Sequence, residues 1–167
     1  AFYAEEVKVG HMALEEAQKL ALSSIRAMRY DKTEYFFVQD LDGVMLMHPI
    51  KPELNGKNLL HVKDKEGKQL FDEMRQVVRQ SGSGFVSYSW PKPNSDVAAP
   101  KISFVQAFAP WSWSIGTGIY VDDVDAKFRE SAGILLAIGL FLAALVGGSM
   151  MLLSRNILGT LGGDPAE

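Results

Sequence analysis

The sequence has no cysteine and only three histidines, His11, His48 and His61. The absence of cysteine excludes a disulfide framework, thiolate metal sites and a cysteine nucleophile, and it leaves the cellular compartment open. No two histidines are four residues apart and none stands in a Glu-flanked motif, so the sequence predicts no metal site. Gly116-Thr117-Gly118 lies in a predicted strand and lacks the third glycine and following helix of a dinucleotide-binding loop, so no cofactor is expected.

An excess of charge of either sign is also missing. The net charge is −3, and the first 130 residues carry 16 of the 17 basic and 18 of the 20 acidic side chains. This balance does not favour a nucleic acid or an anionic membrane surface as a partner. Ser81-Gly82-Ser83-Gly84 is typical of a flexible turn rather than a nucleophile elbow, because it does not join a strand to a helix. We therefore expect no enzymatic activity.

Charged side chains are absent from residues 131–154, a run of 24 residues that ends before Arg155. At ~1.5 Å per residue, a helix of this length spans roughly 36 Å, enough to cross a hydrocarbon core of about 30 Å. We therefore predict a transmembrane helix over residues 131–154. The basic residues beside this run are too few to fix its orientation. The preceding residues, 1–125, have the size of one folded domain.

The domain begins with a helical pattern. Residues 2–29 contain no proline, and their apolar side chains recur at spacings of three, four and seven. These spacings predict one long amphipathic helix over residues 2–29, in spite of Gly10.

A sheet domain is predicted over residues 34–121. Tyr35 to Val38 and Val44 to His48 are predicted strands joined by a turn at Asp40-Leu41-Asp42-Gly43, which indicates a hairpin. Leu70, Met74, Val77 and Val78 form one apolar stripe of a helix over residues 69–80. Three further strands are predicted over residues 85–90, 102–108 and 113–121. Together the pattern predicts an α+β fold with a PAS-like, five-stranded antiparallel sheet.

The last strand runs directly into another helix. Asp122, Asp123 and Asp125 supply a cap and an acidic first turn for a helix that begins there, which explains them more simply than a cation site does. No glycine or proline interrupts residues 122–131. The final strand and the transmembrane helix are therefore predicted to be connected through one helix.

Several short motifs carry a resemblance to a known family. In order, residues 5–125 resemble the single Cache domain of the second type, the extracytoplasmic sensor of bacterial chemoreceptors and of some histidine kinases. The motifs are Tyr35-Phe36-Phe37-Val38, Asp42-Gly43, Met47-His48-Pro49, Leu54-Asn55-Gly56-Lys57-Asn58-Leu59, Asp64 with Gly67-Lys68, residues 84–93, Pro100-Lys101 and residues 113–120. Residues 155–167, with Leu158 to Pro165, are similar to the start of a HAMP linker.

The resemblance implies the context of the chain. It implies a periplasmic sensor domain at the bacterial inner membrane and a first transmembrane helix upstream. It further implies a cytoplasmic signalling domain that acts through a kinase and an adaptor. A homodimer through the N-terminal helix is expected. A sensor histidine kinase with the same input domain is an alternative, and a ligand-free membrane-anchored interaction module is another.

Four residues are the principal candidates for ligand binding. Tyr88 and Trp90 lie on one face of a strand, and Lys101 begins the next strand. His48 ends the hairpin. A lysine, a tyrosine hydroxyl, a histidine and an aromatic wall suit a small carboxylate. Each residue also has a structural interpretation, in core packing, a backbone hydrogen bond or a solvated charge, and the resemblance favours the ligand site.

Three aromatic residues are secondary candidates: Tyr30, Tyr35 and Phe37. Tyr35 and Phe37 share a face of their strand, but four consecutive apolar residues do not show which face meets the helices. The expected ligand is a monocarboxylate of two or three carbons, such as acetate, propionate, pyruvate or lactate. With a ceiling of roughly −1.5 kcal/mol per non-hydrogen atom, so small an acid binds in the micromolar range.

Overall fold

The computed structural model describes residues 2–31 and 33–161. By internal contacts they form two units, one ending at Asp123 and one beginning at Val124. The helices are α1 (Phe2–Lys8), α2 (Leu14–Ala27), α3 (Leu70–Ser81) and α4 (Val121–Leu161), with short 3₁₀ helices at Pro52–Leu54 and Ala109–Trp111. The strands are β1 (Arg29–Tyr30), β2 (Glu34–Asp40), β3 (Met45–Met47), β4 (Ser83–Pro91), β5 (Ala98–Phe108) and β6 (Trp113–Tyr120).

The strands form one antiparallel sheet in the order β1-β2-β6-β5-β4, and β3 also pairs with β2. The five predicted strands are all present, and so is the hairpin of β2 and β3. Its turn is held by the Asp40 carboxylate, which accepts hydrogen bonds from the backbone N–H groups of Asp42 and Val44. The α+β, PAS-like fold is thus confirmed, with the two-residue strand β1 as an unpredicted sixth strand.

The N-terminal segment differs from the prediction, because residues 2–29 form two helices instead of one. Gly10 has a φ of 78°, a left-handed conformation that ends the helical path. The Tyr3 hydroxyl lies 3.2 Å from the Ser24 hydroxyl, so α1 folds back along α2. The spacing of apolar residues is the same on both sides of Gly10. The spacing therefore could not show that the contact of Tyr3 with Ser24 favours a turn at Gly10 over a continuous helix.

The inner face of the sheet carries the main core beneath α3. Leu70, Met74 and Val78 of α3 are buried there, which confirms the predicted stripe, and Val77 packs beside them. Gly82, with a φ of 73°, ends the helix in a left-handed conformation. The sheet contributes Tyr35, Phe37, Val86, Tyr88 and Val105 to the same core.

The outer face of the sheet has a smaller core, where α2 packs. Ala21 of α2, Val38, Met47 and Trp113 are buried there, and Trp111 packs against them. Gln106 is exposed on this face.

The helix α4 contains the predicted membrane span. Residues Val121–Ile157 are long and apolar enough to cross a membrane by length and composition, with a mean hydropathy of 2.3 in the most apolar window. Apart from the half-buried Ala132, the residues of the apolar run 131–154 are exposed. Most of the predicted HAMP motif, Gly162-Gly163-Asp164-Pro165, lies outside the described residues.

Two glycines of β6 allow the inner face to pack closely. A methyl group added at Gly116 would lie 2.2 Å from Cζ of the Phe37 ring. One added at Gly118 would lie 2.1 Å from the Ser103 hydroxyl oxygen and 2.5 Å from the carbonyl oxygen of Ile102. The first clash involves a ring that can shift, whereas the second involves backbone that cannot shift without disturbing the strand.

We predict that Gly118→Ala lowers the free energy of unfolding by about 1–3 kcal/mol, because the added methyl overpacks against backbone. Gly116→Ala should cost less. Urea unfolding followed by tryptophan fluorescence measures both, since all three tryptophans lie in the folded domain. Ser87→Ala, on the exposed side of β4, is the control, and equal stability of Gly118→Ala and this control would contradict the prediction.

Candidate ligand-binding site

Tyr88, Lys101 and Tyr120 form a row across three neighbouring strands. Tyr88 on β4 is paired with Lys101 on β5, and Lys101 is paired with Tyr120 on β6. Paired residues of an antiparallel sheet lie on the same face, so all three side chains lie on the inner face. Lys101 is only 1% exposed, which is uncommon for a lysine.

The Lys101 ammonium group lies between two aromatic rings. Its Nζ is 4.1 Å from the ring centroid of Tyr35 and 4.5 Å from that of Tyr120. Among the described residues, no carboxylate lies within salt-bridge distance of this Nζ. Burial lowers the pKa of Lys101 to about 8, while the negative charge of Glu34 acts in the opposite direction. The π faces therefore replace only part of the water that the ammonium group loses.

His48 is held in one orientation by the chain that follows β3. Its Nδ1 accepts hydrogen bonds from the backbone N–H groups of Ile50 (3.3 Å) and Lys51 (2.9 Å). Its own backbone N–H donates to the side-chain oxygen of Asn55, at 2.7 Å. Because Nδ1 is an acceptor, the neutral ring carries its proton on Nε2, which is a donor. The bond to Asn55 joins two motifs that are separate in the sequence, Met47-His48-Pro49 and residues 54–59.

The charge state of His48 is set by its surroundings. Burial, and then the positive charges of Lys101 and Lys51, lower the pKa of His48 to about 3. The ring is therefore neutral at physiological pH, and the cation of the site is Lys101.

An aromatic wall surrounds His48. The ring centroid of His48 lies 5.1 Å from that of Tyr35, 6.3 Å from that of Phe37 and 6.0 Å from that of Trp90. Trp90 also contacts Phe71 of α3 and Tyr88. We call the group of Tyr35, Phe37, His48, Tyr88, Trp90, Lys101 and Tyr120 the Lys101 site.

The tyrosine hydroxyls of the Lys101 site are neutral. Burial raises the pKa of Tyr35, Tyr88 and Tyr120 well above the ordinary value. The Tyr88 hydroxyl lies 2.7 Å from that of Ser103, and the Tyr120 hydroxyl donates to the carbonyl oxygen of Pro91, also at 2.7 Å. Lys101 is thus the one formal charge within the Lys101 site.

The loop before α3 is fastened to β4 beside the site. The Asp64 carboxylate accepts hydrogen bonds from the backbone N–H groups of Glu66, Lys68 and Ser89. Ser89 lies between Tyr88 and Trp90, so this carboxylate fixes the loop against the strand that carries them. The motif of Asp64 and Gly67-Lys68 is explained in this way as a structural one.

Six of the seven predicted residues are brought together at the Lys101 site: Tyr35, Phe37, His48, Tyr88, Trp90 and Lys101. Tyr30 is not. Its hydroxyl lies 2.8 Å from that of Thr117, and its ring lies 5.7 Å from that of Phe36. Phe36 and Thr117 alternate with inner-face residues and lie on the outer face. Tyr30 belongs to the edge strand β1, and its position depends on that unpredicted strand.

Tyr120 and Ser103 were missed by the sequence analysis. Alternation places both on the inner face, but only the register of β5 with β6 and β4 puts Tyr120 opposite Lys101 and Ser103 within hydrogen-bond distance of Tyr88. Two signals for Tyr120 were its position at the end of an apolar strand and its place in the motif of residues 113–120. Lys51 was also missed, and its Nζ lies 5.7 Å from the ring centroid of Trp90 in the structure.

Within residues 2–31 and 33–161, no group of three or more potential metal ligands lies together.

A PAS-like sheet that places a polar site beneath one helix is the architecture of a sensor domain. The sequence model of the Single Cache domain 2 family matches residues 2–133, and the chain belongs to this family. It is similar to the methyl-accepting chemotaxis protein McpP of Pseudomonas putida, with 40% identity over 94% of this chain and 29% of that protein. The sensor histidine kinase MctS of Rhizobium johnstonii is 35% identical over 68% of this chain and 24% of that protein.

Solved structures agree with this assignment. A structure titled as the periplasmic sensor domain of a chemotaxis protein is 48% identical, with a TM-score of 0.71, and the match covers 72% of this chain and 83% of that one. A Cache chemosensory domain described for carboxylic acid recognition is 42% identical, also with a TM-score of 0.71, over 72% and 82%. The chain spans less than a third of the length of the curated relatives that it matches.

The lowered pKa of Lys101 predicts how stability changes with pH. Between pH 8 and 10.5 the unfolded chain binds a proton at Lys101 that the folded chain has released, so this residue makes the free energy of unfolding rise with pH. The rise is about 1–3 kcal/mol, and ionisation of the tyrosines opposes it only near pH 10 and above.

Lys101→Met should be more stable than the original chain at pH 7 and should lose the rise between pH 8 and 10. Denaturant unfolding of both chains at pH 7, 8, 9 and 10 measures this difference. The same slope in both chains would show that the folded state does not perturb the Lys101 ammonium.

Proposed function

We propose that the chain is the ligand-sensing region of a transmembrane chemoreceptor and that the Lys101 site binds a small monocarboxylate in the periplasm. The acid has two or three carbons, as in acetate, propionate, pyruvate or lactate. One observation carries this proposal: Lys101 is a buried cation with no carboxylate of a described residue in salt-bridge distance. A bound carboxylate would place a negative charge in direct contact with the ammonium group, in addition to the electrostatic effect of Glu34.

The chemistry of the surrounding residues suits the two ends of such an acid. The Lys101 ammonium group and Nε2–H of the neutral His48 are donors for the carboxylate, and hydrogen bonds to ionised groups are the stronger ones. The rings of Tyr35, Phe37 and Trp90 provide apolar contact for a short tail. A buried ion needs both a partner charge and hydrogen bonds to offset its lost hydration, and this set offers both.

The comparisons support the same class of ligand. The Cache domain solved for carboxylic acid recognition is 42% identical to this chain, and the chemotaxis protein McpP is 40% identical over nearly all of it. An acid of four to six heavy atoms reaches at best about −6 to −9 kcal/mol, which corresponds to a Kd no tighter than about 40 μM to a few hundred nM. Micromolar binding is therefore expected.

Calorimetric titration of the chain in detergent tests the binding of short acids. Acetate, propionate, pyruvate and lactate are compared with amines and amino acids. Lys101→Met should weaken acid binding at least thirtyfold, because the ligand loses its counter-charge, and should not lower the melting temperature, because Met fills the same buried space. Lys65→Met removes the same charge from an exposed loop residue and should change Kd less than twofold.

Two results would contradict this function. One is the absence of heat with every short acid together with clear binding of an amine. The other is equal weakening of acid binding by the Lys101 and Lys65 substitutions, which would indicate a general electrostatic effect.

The pKa of Lys101 also predicts proton uptake on binding. An acid anion favours the charged form of Lys101, so its Kd should rise as the pH rises through about 8 and should approach a tenfold rise per pH unit above it. At pH 8, titrations in two buffers of different ionisation enthalpy should show uptake of part of a proton. A Kd that is constant from pH 7 to 9.5, without proton uptake, would exclude Lys101 as the cation that binds the acid.

The output of the protein is part of the same proposal. The domain lies outside the cytoplasm, α4 crosses the inner membrane, and binding shifts the populations of two states of the domain. A homodimer through the N-terminal helices and a cytoplasmic partner kinase and adaptor stay predictions. The relation to MctS, 35% identical over 68% of the chain, favours a histidine kinase as the second candidate. The sequence that follows Glu167 separates the two.

A further inference from the structure

Lys92 connects the loop between β4 and β5 to the first turn of α4. Its Nζ lies 2.7 Å from a carboxylate oxygen of Asp122 and 2.8 Å from one of Asp123. The loop begins one residue after Pro91, the end of β4. We call Lys92, Asp122 and Asp123 the Lys92 clamp.

A second bond joins the same two segments. The Tyr120 hydroxyl donates to the carbonyl oxygen of Pro91 at 2.7 Å, and Lys92 Nζ lies 5.5 Å from the centroid of the Tyr120 ring. The same ring lies 4.5 Å from Lys101 Nζ. Tyr120 thus contacts both the cation of the Lys101 site and the segment that carries the clamp.

The backbone between the site and the clamp is stiff. Trp90 belongs to the Lys101 site, and Pro91 and Pro93 flank Lys92. Proline fixes its own φ and restricts the residue before it to extended conformations, so Trp90 and Lys92 are both constrained. A displacement of Trp90 or Tyr120 is therefore transmitted to Lys92, because the restricted backbone cannot absorb it by rotation.

We propose that the Lys92 clamp couples occupancy of the Lys101 site to the first turn of α4. An anion bound to Lys101 draws the ammonium group away from the Tyr120 ring. Tyr120 and Pro91 then move together, and Lys92 carries this movement to Asp122 and Asp123. This rests on the proposed function, because the Lys101 site is taken to receive the anion. Lys92 is a positioning residue, since its charge is already satisfied by two carboxylates.

An exposed ion pair adds little stability by itself, so the test of the clamp is its effect on the Kd of the ligand rather than on the melting temperature. Coupling and simple electrostatics predict different signs. Removing the positive charge of Lys92 weakens anion binding through space, whereas removing the negative charges of Asp122 and Asp123 strengthens it. The clamp keeps Trp90 and Tyr120 in place around the anion while the segment moves, so its loss weakens binding in both cases.

Titration of propionate into the full chain in detergent measures these effects. We expect Lys92→Met and the double variant Asp122→Asn, Asp123→Asn each to raise Kd about three- to tenfold. The variant with all three substitutions should bind propionate no more weakly than either of these two variants, because all three variants remove the same interaction. Lys92→Arg keeps the positive charge and should bind propionate as the unsubstituted chain does. Lys65→Met is the matched control for the loss of one positive charge. Opposite signs, or no change in either variant, would overturn the proposal.

Hydrogen exchange of the chain without ligand gives an independent measurement. The Ser95 N–H donates to the carbonyl oxygen of Lys92, so exchange within residues 92–97 reports on the loop. The Asp122, Asp123 variant should exchange at least threefold faster in residues 92–97, and Lys92→Met at least threefold faster in residues 120–125. If substitutions on one side do not speed exchange on the other side, the clamp proposal is overturned. Failure of the unsubstituted chain to bind propionate instead overturns the proposed function, so the two failures are distinguishable.

Discussion

The burial of the Lys101 ammonium group is the constraint on which the arrangement of the ligand site depends. A buried ammonium group needs a substitute for water, and the substitutes here are the rings of Tyr35 and Tyr120. These rings come from β2 and β6, so the cation is accommodated only when β2, β6 and β5 are neighbours in the sheet. Gly118 has a supporting role, because a side chain there would displace Ser103, the partner of Tyr88.

The same constraint shapes the chemistry of the site. A cation close to His48 keeps the imidazole neutral, and two backbone N–H groups direct its remaining proton to Nε2. The domain therefore offers one cation and one neutral donor among aromatic rings. Membership of the Single Cache domain 2 family agrees with a ligand-sensing role for such a site. Tyr120 is the last residue before α4, so the residue that contacts the cation also adjoins the helix that leaves the domain.

Prediction succeeded where local patterns are decisive. The five strands, α3 and its buried stripe follow from alternation, helical spacing and turn residues, each of which acts over a few residues. It failed at the N-terminal helix, because the turn at Gly10 is stabilised by the contact of Tyr3 with α2, 21 positions away. Six of seven candidate residues lie together at the Lys101 site. Tyr30 does not, because a two-residue edge strand places it with Phe36 and Thr117.

Local sequence patterns were sufficient to identify the types of element, the length of the apolar run over residues 131–154 and the candidate residues of the ligand site. Which of these residues contact one another depended on the fold. Strand register placed Tyr120 opposite Lys101, and chain packing brought Lys92 to Asp122 and Asp123. The physical reason is that periodicity fixes the face on which a side chain lies. The neighbour on that face is fixed by pairing between segments that are distant in the sequence.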